Sequence, residues 1–317
     1  MCTVCGCGDD NVKIDGKSAN GGEGHGHAHP HDHADGSHHH SHDHAHGHSH
    51  THPHSHPHDH HHDGHHHHYG KGAAGVSVPG LAQSRLIQLE HDILAKNNAY
   101  AAENRAFLTS RGILALNLLS SPGSGKTTLL VETIKKLKGQ IEVAVIEGDQ
   151  QTSADAARIR ETGVPALQIN TGKGCHLDGH MIGHALSDLA PQIDSILFIE
   201  NVGNLVCPAS YDLGENLRVV LFSTTEGEDK PLKYPTIFNS ADAALLTKMD
   251  LAAAVEFDRD LAVRSIHQVR PELPILDTSA RAENGLLDWL AYVTDRIERF
   301  RSSPAHAAEF LDHESAK

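Results

Sequence analysis

The sequence predicts an α/β fold, a mostly parallel sheet flanked by helices, behind a long N-terminal region that cannot form a core. Three observations lead there. From about Leu81 onward, short continuous apolar runs alternate with helical stretches, the pattern of strands buried on both faces. One of those runs enters a glycine-rich loop that opens directly into a helix. Residues 25–68 hold 24 of the 31 histidines of this 317-residue chain, with almost no apolar side chain between them, so that stretch cannot offset its backbone entropy and is expected to be disordered without metal.

The chain divides into a cysteine cluster and linker (1–24), a histidine-rich tract (25–70), a small linker (71–80) and one α/β domain (81–317). Leu86, Leu89, Ile93 and Leu94 give Leu81 to about Leu108 helical spacing. Strands are expected at Ile113–Leu119, Ile141–Ile146, Ala166–Ile169, Ser195–Ile199, Leu217–Phe222, Ala243–Thr247 and Ile275–Asp277, with helices between them.

Composition excludes some functions. The formal charge of −15 disfavours a nucleic-acid backbone as main partner. No apolar run reaches the ~18–20 residues of a membrane span, and the start has no apolar signal region. The expectation is a cytoplasmic protein that binds no membrane, whose five cysteines serve as thiols or metal ligands rather than disulfides.

Ser120-Ser-Pro-Gly-Ser-Gly-Lys-Thr127 matches the P-loop pattern except at its first position, where Ser120 replaces Gly. Gly123 and Gly125 let the backbone wrap a phosphate, and Ser124 and Thr128 complete the loop and the first helical turn, whose N–H groups meet the anion. Lys126 reaches the β- and γ-phosphates and Thr127 offers its hydroxyl to Mg²⁺. A plain Gly-Ser turn is the alternative, disfavoured by GKT lying between a strand and a helix. Thr247-Lys-Met-Asp250 resembles the guanine-specificity motif. In it Asp250 accepts from the guanine N1 and exocyclic amine, and Lys248 packs over the base. Thr247 departs from the usual Asn. Asp277-Thr-Ser-Ala280 follows a later strand, where Ser279 and Ala280 suit a second base-contacting loop. Together these favour GTP over ATP, which would leave a buried acceptor unpaired.

Two strands end on acids, Glu147-Gly-Asp149 and Glu200-Asn-Val-Gly203. We assign Asp149 and Glu200 to Mg²⁺ beside the nucleotide, with Gly203 as a hinge sensing the γ-phosphate. Helix capping is the competing role, close for Asp149 and weaker for Glu200. No catalytic Gln or Arg finger can be named, so hydrolysis is expected to be slow and stimulated by dimerisation or a partner. Cys2, Cys5 and Cys7 crowd three thiols into six residues and suit one soft or borderline metal. Cys175, His176 and Cys207 lie after strands of the nucleotide domain. They offer two thiolates and an imidazole, an incomplete four-ligand set that a symmetric dimer could complete. Two small buried hydrophobes are the alternative for these cysteines. His180 and His184 follow at helical spacing and are read as a solvated face. The histidine tract binds Ni²⁺, Cu²⁺ or Zn²⁺ in many interchangeable sites and names none of them.

CxxCGC, SSPGSGKTTLL, EGDQQTSADAARI, GKGCHLD and IENVGNLVCPASYDLGE together resemble the hydrogenase nickel-incorporation GTPase family, HypB. The resemblance spans the N-terminus and Leu81 to about Arg301. It implies a SIMIBI-class P-loop fold, GTP-dependent dimerisation, and nickel transfer into the [NiFe]-hydrogenase large subunit. It also implies a zinc-binding HypA-type chaperone and SlyD as partners. It makes Cys2, Cys5 and Cys7 a high-affinity nickel site, and Cys175, His176 and Cys207 a nickel or zinc site. The rivals are a urease accessory GTPase, disfavoured by CxxCGC and the CH…C pair, and a metal-storage protein with a vestigial nucleotide domain, disfavoured by the intact GKT and the two carboxylates.

Overall fold

The computed structural model describes residues 81–150 and 153–302, two-residue strands at 13–14 and 17–18, and positions 73 and 78. Cys2, Cys5, Cys7, the histidine tract and the C-terminal residues from 303 lie outside the described residues, as do the domain limits that rest on them.

Seven parallel strands form the sheet: β3 (Leu114–Ser120), β4 (Val143–Asp149), β5 (Ala166–Asn170), β6 (Ile196–Glu200), β7 (Leu217–Ser223), β8 (Ala243–Thr247) and β9 (Ile275–Asp277), in the order β5-β4-β6-β3-β7-β8-β9. The expected strands agree within a residue or two at most ends, and β4 runs further, to Asp149. The sequence reading gave no strand in 1–24. There, β1 (Lys13–Ile14) and β2 (Lys17–Ser18) form a short antiparallel ladder, and β1 pairs with β5 at the sheet edge.

Strand alternation sends apolar side chains to both faces. Leu114, Leu116 and Leu118 of β3 pack with α2 (Lys126–Leu137) and α8 (Leu287–Arg301), through Leu130, Ile134, Trp289 and Val293. Ala115 faces the other way, toward α1 (Gln83–Ser110) and α4 (Gly179–Leu189), through Leu108, Ile182 and Leu186. Each such fully buried aliphatic side chain contributes roughly 1.5–3 kcal/mol. The helices α5 (Lys230–Lys233), α6 (Pro235–Ser240) and α7 (Arg259–Val269) close the β8 end, and α3 (Ala154–Arg160) precedes β5.

The 28-residue α1 differs from its expected stripe. Leu86 is buried, but Ile93 is 43% exposed. Further along, α1 buries Asn97 and Asn104 instead. Asn97 accepts from the Gly179 N–H at 2.8 Å and donates to the Asp212 carbonyl at 2.8 Å. Asn104 donates to Gly179 and Leu213 carbonyls at 2.7 and 3.0 Å. Both amides are satisfied, so their burial is tolerated, and α1 is tied to two loops by polar contacts that apolar periodicity cannot show.

Trp289, fully buried, joins α8 to α2 by an indole N–H bond to Thr133 Oγ1 at 2.9 Å. Trp289→Ala should lower unfolding free energy by about 3–5 kcal/mol, read as a lower denaturant midpoint. An unchanged midpoint would show that α8 is not part of the cooperative unit.

Candidate functional site

Parallel strands deliver their C-terminal loops to one edge of the sheet. β3 opens into residues 121–125 and then α2. Gly123 and Gly125 have φ of +74° and +97°, the left-handed region where a side chain is strained. Ser120, in the place the pattern gives to Gly, organises the loop's interior. Its hydroxyl accepts from Lys126 Nζ at 2.7 Å and from Ser124 Oγ at 2.6 Å, and donates to the Ser121 carbonyl at 2.6 Å. Burial pushes the Lys126 ammonium below its ordinary pKa, opposed by attraction from Glu200, Asp155 and Glu147. A buried cation with acids around it is poised for an anion that neutralises it.

Thr127 Oγ1 donates to Glu200 Oε1 at 2.7 Å. Glu200 does not cap a helix at this point, since the next helical turn starts only at Cys207. Burial pushes Glu200 up to about 7, against the pull of Lys126 and Thr127. Glu147 stands opposite it in the β4–β6 register. Burial, then the charges of Glu200 and Asp149, raise Glu147 to about 8. One buried oxygen on each, Oε2, has no hydrogen-bond partner. Two buried carboxylates with unsatisfied oxygens beside a threonine hydroxyl suit a hard divalent cation, so the residues present fit Mg²⁺. The sequence reading chose Asp149, which ends β4 and is half-buried; it passed over Glu147, two residues earlier on the same strand face. The period of two along a strand was the signal that could have found it.

The base-side residues converge on a cavity of about 260 Å³ lined by Ser124, Gly125, Thr128, Thr247, Lys248, Asp250 and Ala280, with Leu129, Leu251, Thr278 and Arg281. Lys248, at φ +58°, donates through Nζ to the Gly123 carbonyl at 2.8 Å. Its stem therefore lies along the phosphate loop. Thr247 Oγ1 donates to the Ser124 carbonyl at 2.8 Å, tying β8 to the loop in its own way. Ser279 Oγ donates to Asp250 Oδ1 at 2.5 Å and accepts from the Ala282 N–H at 3.1 Å. Ser279 thus orients the acid rather than lining the cavity.

At the same sheet edge the loops after β5 and β6 bring Cys175 and Cys207 together, Sγ to Sγ 2.9 Å. Neither is in a disulfide; the separation is well beyond a disulfide bond. His176 Nδ1 lies 3.7 Å from Cys175 Sγ, and ligand atoms of all three residues fall within 4.8 Å. Among the described residues this is the group of three able to hold a metal ion. Burial pushes His176 down to about 4, keeping the imidazole neutral and able to ligate, while its ring packs on Tyr211 with centroids 3.8 Å apart. His180 and His184 are exposed on α4, Nε2 to Nε2 3.1 Å. They stand outside the triad, on a solvated face.

A family model for the CobW/HypB/UreG nucleotide-binding domain matches residues 114–277. Hydrogenase maturation factor HypB of Rhizobium leguminosarum bv. viciae is 60% identical over 223 residues, covering 70% of this chain and 75% of that protein. HypB of Escherichia coli K12 is 47% identical over 293 residues, 92% of this chain and 98% of its own length. Among solved structures, HypB from Helicobacter pylori in complex with nickel superposes with a TM-score of 0.61 at 40% identity, covering 66% of this chain and 98% of that one. Sheet, phosphate loop and base cavity thus define a P-loop GTPase of the CobW/HypB/UreG class. Within that class, the chain belongs to the HypB family of hydrogenase maturation factors.

The acid pair yields a pH signature. Both carboxyls hold protons more tightly folded than unfolded, so their contribution to stability is fully present below the ordinary carboxylate value. That contribution is lost as pH rises toward about 7 and 8, while the lowered His176 works in the opposite direction below its ordinary value. Denaturant midpoints taken at pH 6.5 and 8 should fall, and the fall should be shallower in Glu147→Gln. Identical slopes in the two proteins would contradict a raised Glu147.

Proposed function

We propose that this chain is a GTP-hydrolysing nickel metallochaperone. It draws Ni²⁺ from a reserve on residues 25–68 and from Cys2, Cys5 and Cys7, holds an ion at Cys175, His176 and Cys207, and passes it to the [NiFe]-hydrogenase large subunit. The observation that carries this reading is that β6 serves both chemistries. Glu200, bonded to Thr127, ends the strand, and Cys207 stands seven residues on, beside Cys175. Family membership supports hydrogenase maturation as the context, and the nickel complex of the Helicobacter pylori relative supports the metal.

The proposed chemistry follows from the residues. The 121–125 backbone and Lys126 hold the β- and γ-phosphates and neutralise charge that builds up as the γ-phosphoryl leaves. Thr127 and Glu200, with Glu147 and Asp149 behind them, hold Mg²⁺, which when bound offsets phosphate charge. Asp250, aimed by Ser279, selects guanine. Nickel is cargo rather than a resident cofactor, and Zn²⁺ competes for the same thiol-rich set. Two thiols and one imidazole leave a four-coordinate ion open on one side. A second copy across a two-fold axis would close it, which supports a GTP- or metal-dependent homodimer. An open coordination position also suits hand-over to and from other chains, here a HypA-type chaperone, the hydrogenase large subunit and SlyD. Among the described residues no helix is long and apolar enough to cross a membrane, in keeping with work in the cytoplasm.

Lys126→Ala should lower GTP hydrolysis by about 10²-fold or more and stop hydrogenase maturation, while total nickel bound at equilibrium stays nearly unchanged. Maturation that survives without hydrolysis would favour simple storage. Deleting residues 25–68 should sharply reduce nickel capacity by equilibrium dialysis and leave GTP turnover intact. An equal loss of turnover would make the tract part of the catalytic unit.

A further inference from the structure

Outside the triad, α4 brings two imidazoles together. His180 and His184 lie one turn apart on its exposed face, Nε2 to Nε2 3.1 Å, with ring centroids 4.6 Å apart and the rings nearly perpendicular at 84°. Neither touches the nucleotide site or belongs to the triad. Residues four apart on a helix share one stripe, and the opposite stripe of α4, Ile182, Ala185 and Leu186, is buried in the core.

The backbone beneath the pair is fixed at several points. Asp178 caps the helix, its Oδ1 accepting from the Met181 N–H at 2.8 Å. Asn97 and Asn104 of α1 hold Gly179 at its N–H and at its carbonyl. Gly183, between the two histidines, lies so close to α1 that a Cβ there would come within 3.0 Å of Asn104 Oδ1. Tyr100 of α1 sets its ring beside His180, centroids 4.9 Å apart. A docked helix thus holds both ligand positions before any ion arrives, so little ordering is left for binding to impose.

The spacing suits one ion. Two imidazole nitrogens about 2.05 Å from a metal are about 2.9 Å apart at a right angle and about 3.3 Å apart at the tetrahedral angle. The observed 3.1 Å lies between, so both nitrogens reach one ion by side-chain adjustment of about 0.2 Å, with the helix unmoved. Right angles belong to square-planar and octahedral complexes, as of Cu²⁺ and Ni²⁺, and the wider angle to Zn²⁺. α4 carries no Lys or Arg to repel a cation. Two neutral rings at this distance share a hydrogen bond, one Nε2–H donating to the other Nε2. An ion that takes both lone pairs displaces that proton, and the donor ring carries it on Nδ1 instead. The exchange needs no base and releases no net proton.

We propose that His180 and His184 form a metal site of their own, a two-imidazole chelate on the surface of α4 that takes Ni²⁺ or another borderline divalent ion through both Nε2 atoms. Two protein ligands leave the remaining positions to water. An exposed site of that kind takes up and exchanges its ion rather than retaining it.

The test is acylation of the full-length chain by diethyl pyrocarbonate, which modifies free imidazole nitrogens, with fragment mass spectrometry reading His180 and His184 individually. Free Ni²⁺ is set by a metal buffer, so filling of the histidine tract and the cysteines does not deplete it. Both residues should become protected at the same free Ni²⁺. His184→Gln, at an exposed position where Gln is a good helix former, should move protection of His180 to at least about 10-fold higher Ni²⁺. His180→Gln should do the same to His184. Changing Cys175 and Cys207 together to Ser should leave both midpoints within about 2-fold. Acylation indifferent to Ni²⁺ up to about 1 mM overturns the site. Protection of His180 that persists unchanged in His184→Gln shows shielding without chelation, as when metal pairs two chains over α4, and overturns it too. Protection lost in the double cysteine variant belongs to the triad, and the separate site falls.

Discussion

Every functional group of this domain depends on one constraint: parallel strands end on the same side, so their following loops share one edge of the sheet. β3 brings the phosphate loop there, β4 and β6 bring acids, β8 and β9 bring residues of the base-side cavity, and β5 and β6 bring the thiols. Strand order decides which of these meet. β6 lies between β3 and β4, so Glu200 faces Thr127 on one side and Glu147 on the other. Hydrophobic burial on both faces fixes the register of the strands. A one-residue slip would turn Glu200 to the opposite face and empty the site.

Burial makes these groups useful at a cost. Glu147, Glu200 and Lys126 are enclosed, and each is pushed toward its neutral form. In a folded protein with nothing bound, that is stored electrostatic discomfort, since Glu147 and Glu200 each keep a buried oxygen without a partner. A divalent cation and a polyphosphate relieve both kinds of charge together. Binding energy is therefore available to move the loops attached to those strands, rather than only to fill a cavity.

Most of this was legible in the sequence because the signals are local. A strand, a GKT loop and a helix lie within about twenty-five residues, and apolar runs marked all seven parallel strands. Cys175, His176 and Cys207 were readable as candidate ligands from residue type and position after strands, and the structure brings the three together. What escaped depends on long-range geometry. Glu147 was overshadowed by Asp149 because a strand end is easy to see, whereas the register that sets Glu147 opposite Glu200 follows from the pairing of β4 with β6. Asn97 and Asn104 broke the expected apolar stripe of α1, since their partners, Gly179, Asp212 and Leu213, are 75 or more residues away. Thr247 read as a weakened base motif; its bond to the Ser124 carbonyl shows a tie between β8 and the phosphate loop that no spacing announces.

The proposed nickel site stands a short path from the phosphate loop rather than on a separate module. A site on a flexible tether would keep the same affinity whatever the nucleotide, because a tether transmits no strain. Here Cys207 is seven residues from Glu200, on a segment whose Gly203 touches Pro122 and whose Asn204 reaches Cys175. A ligand can shift an equilibrium only by its differential affinity for two states, so any influence of the nucleotide on this pair must pass through that segment.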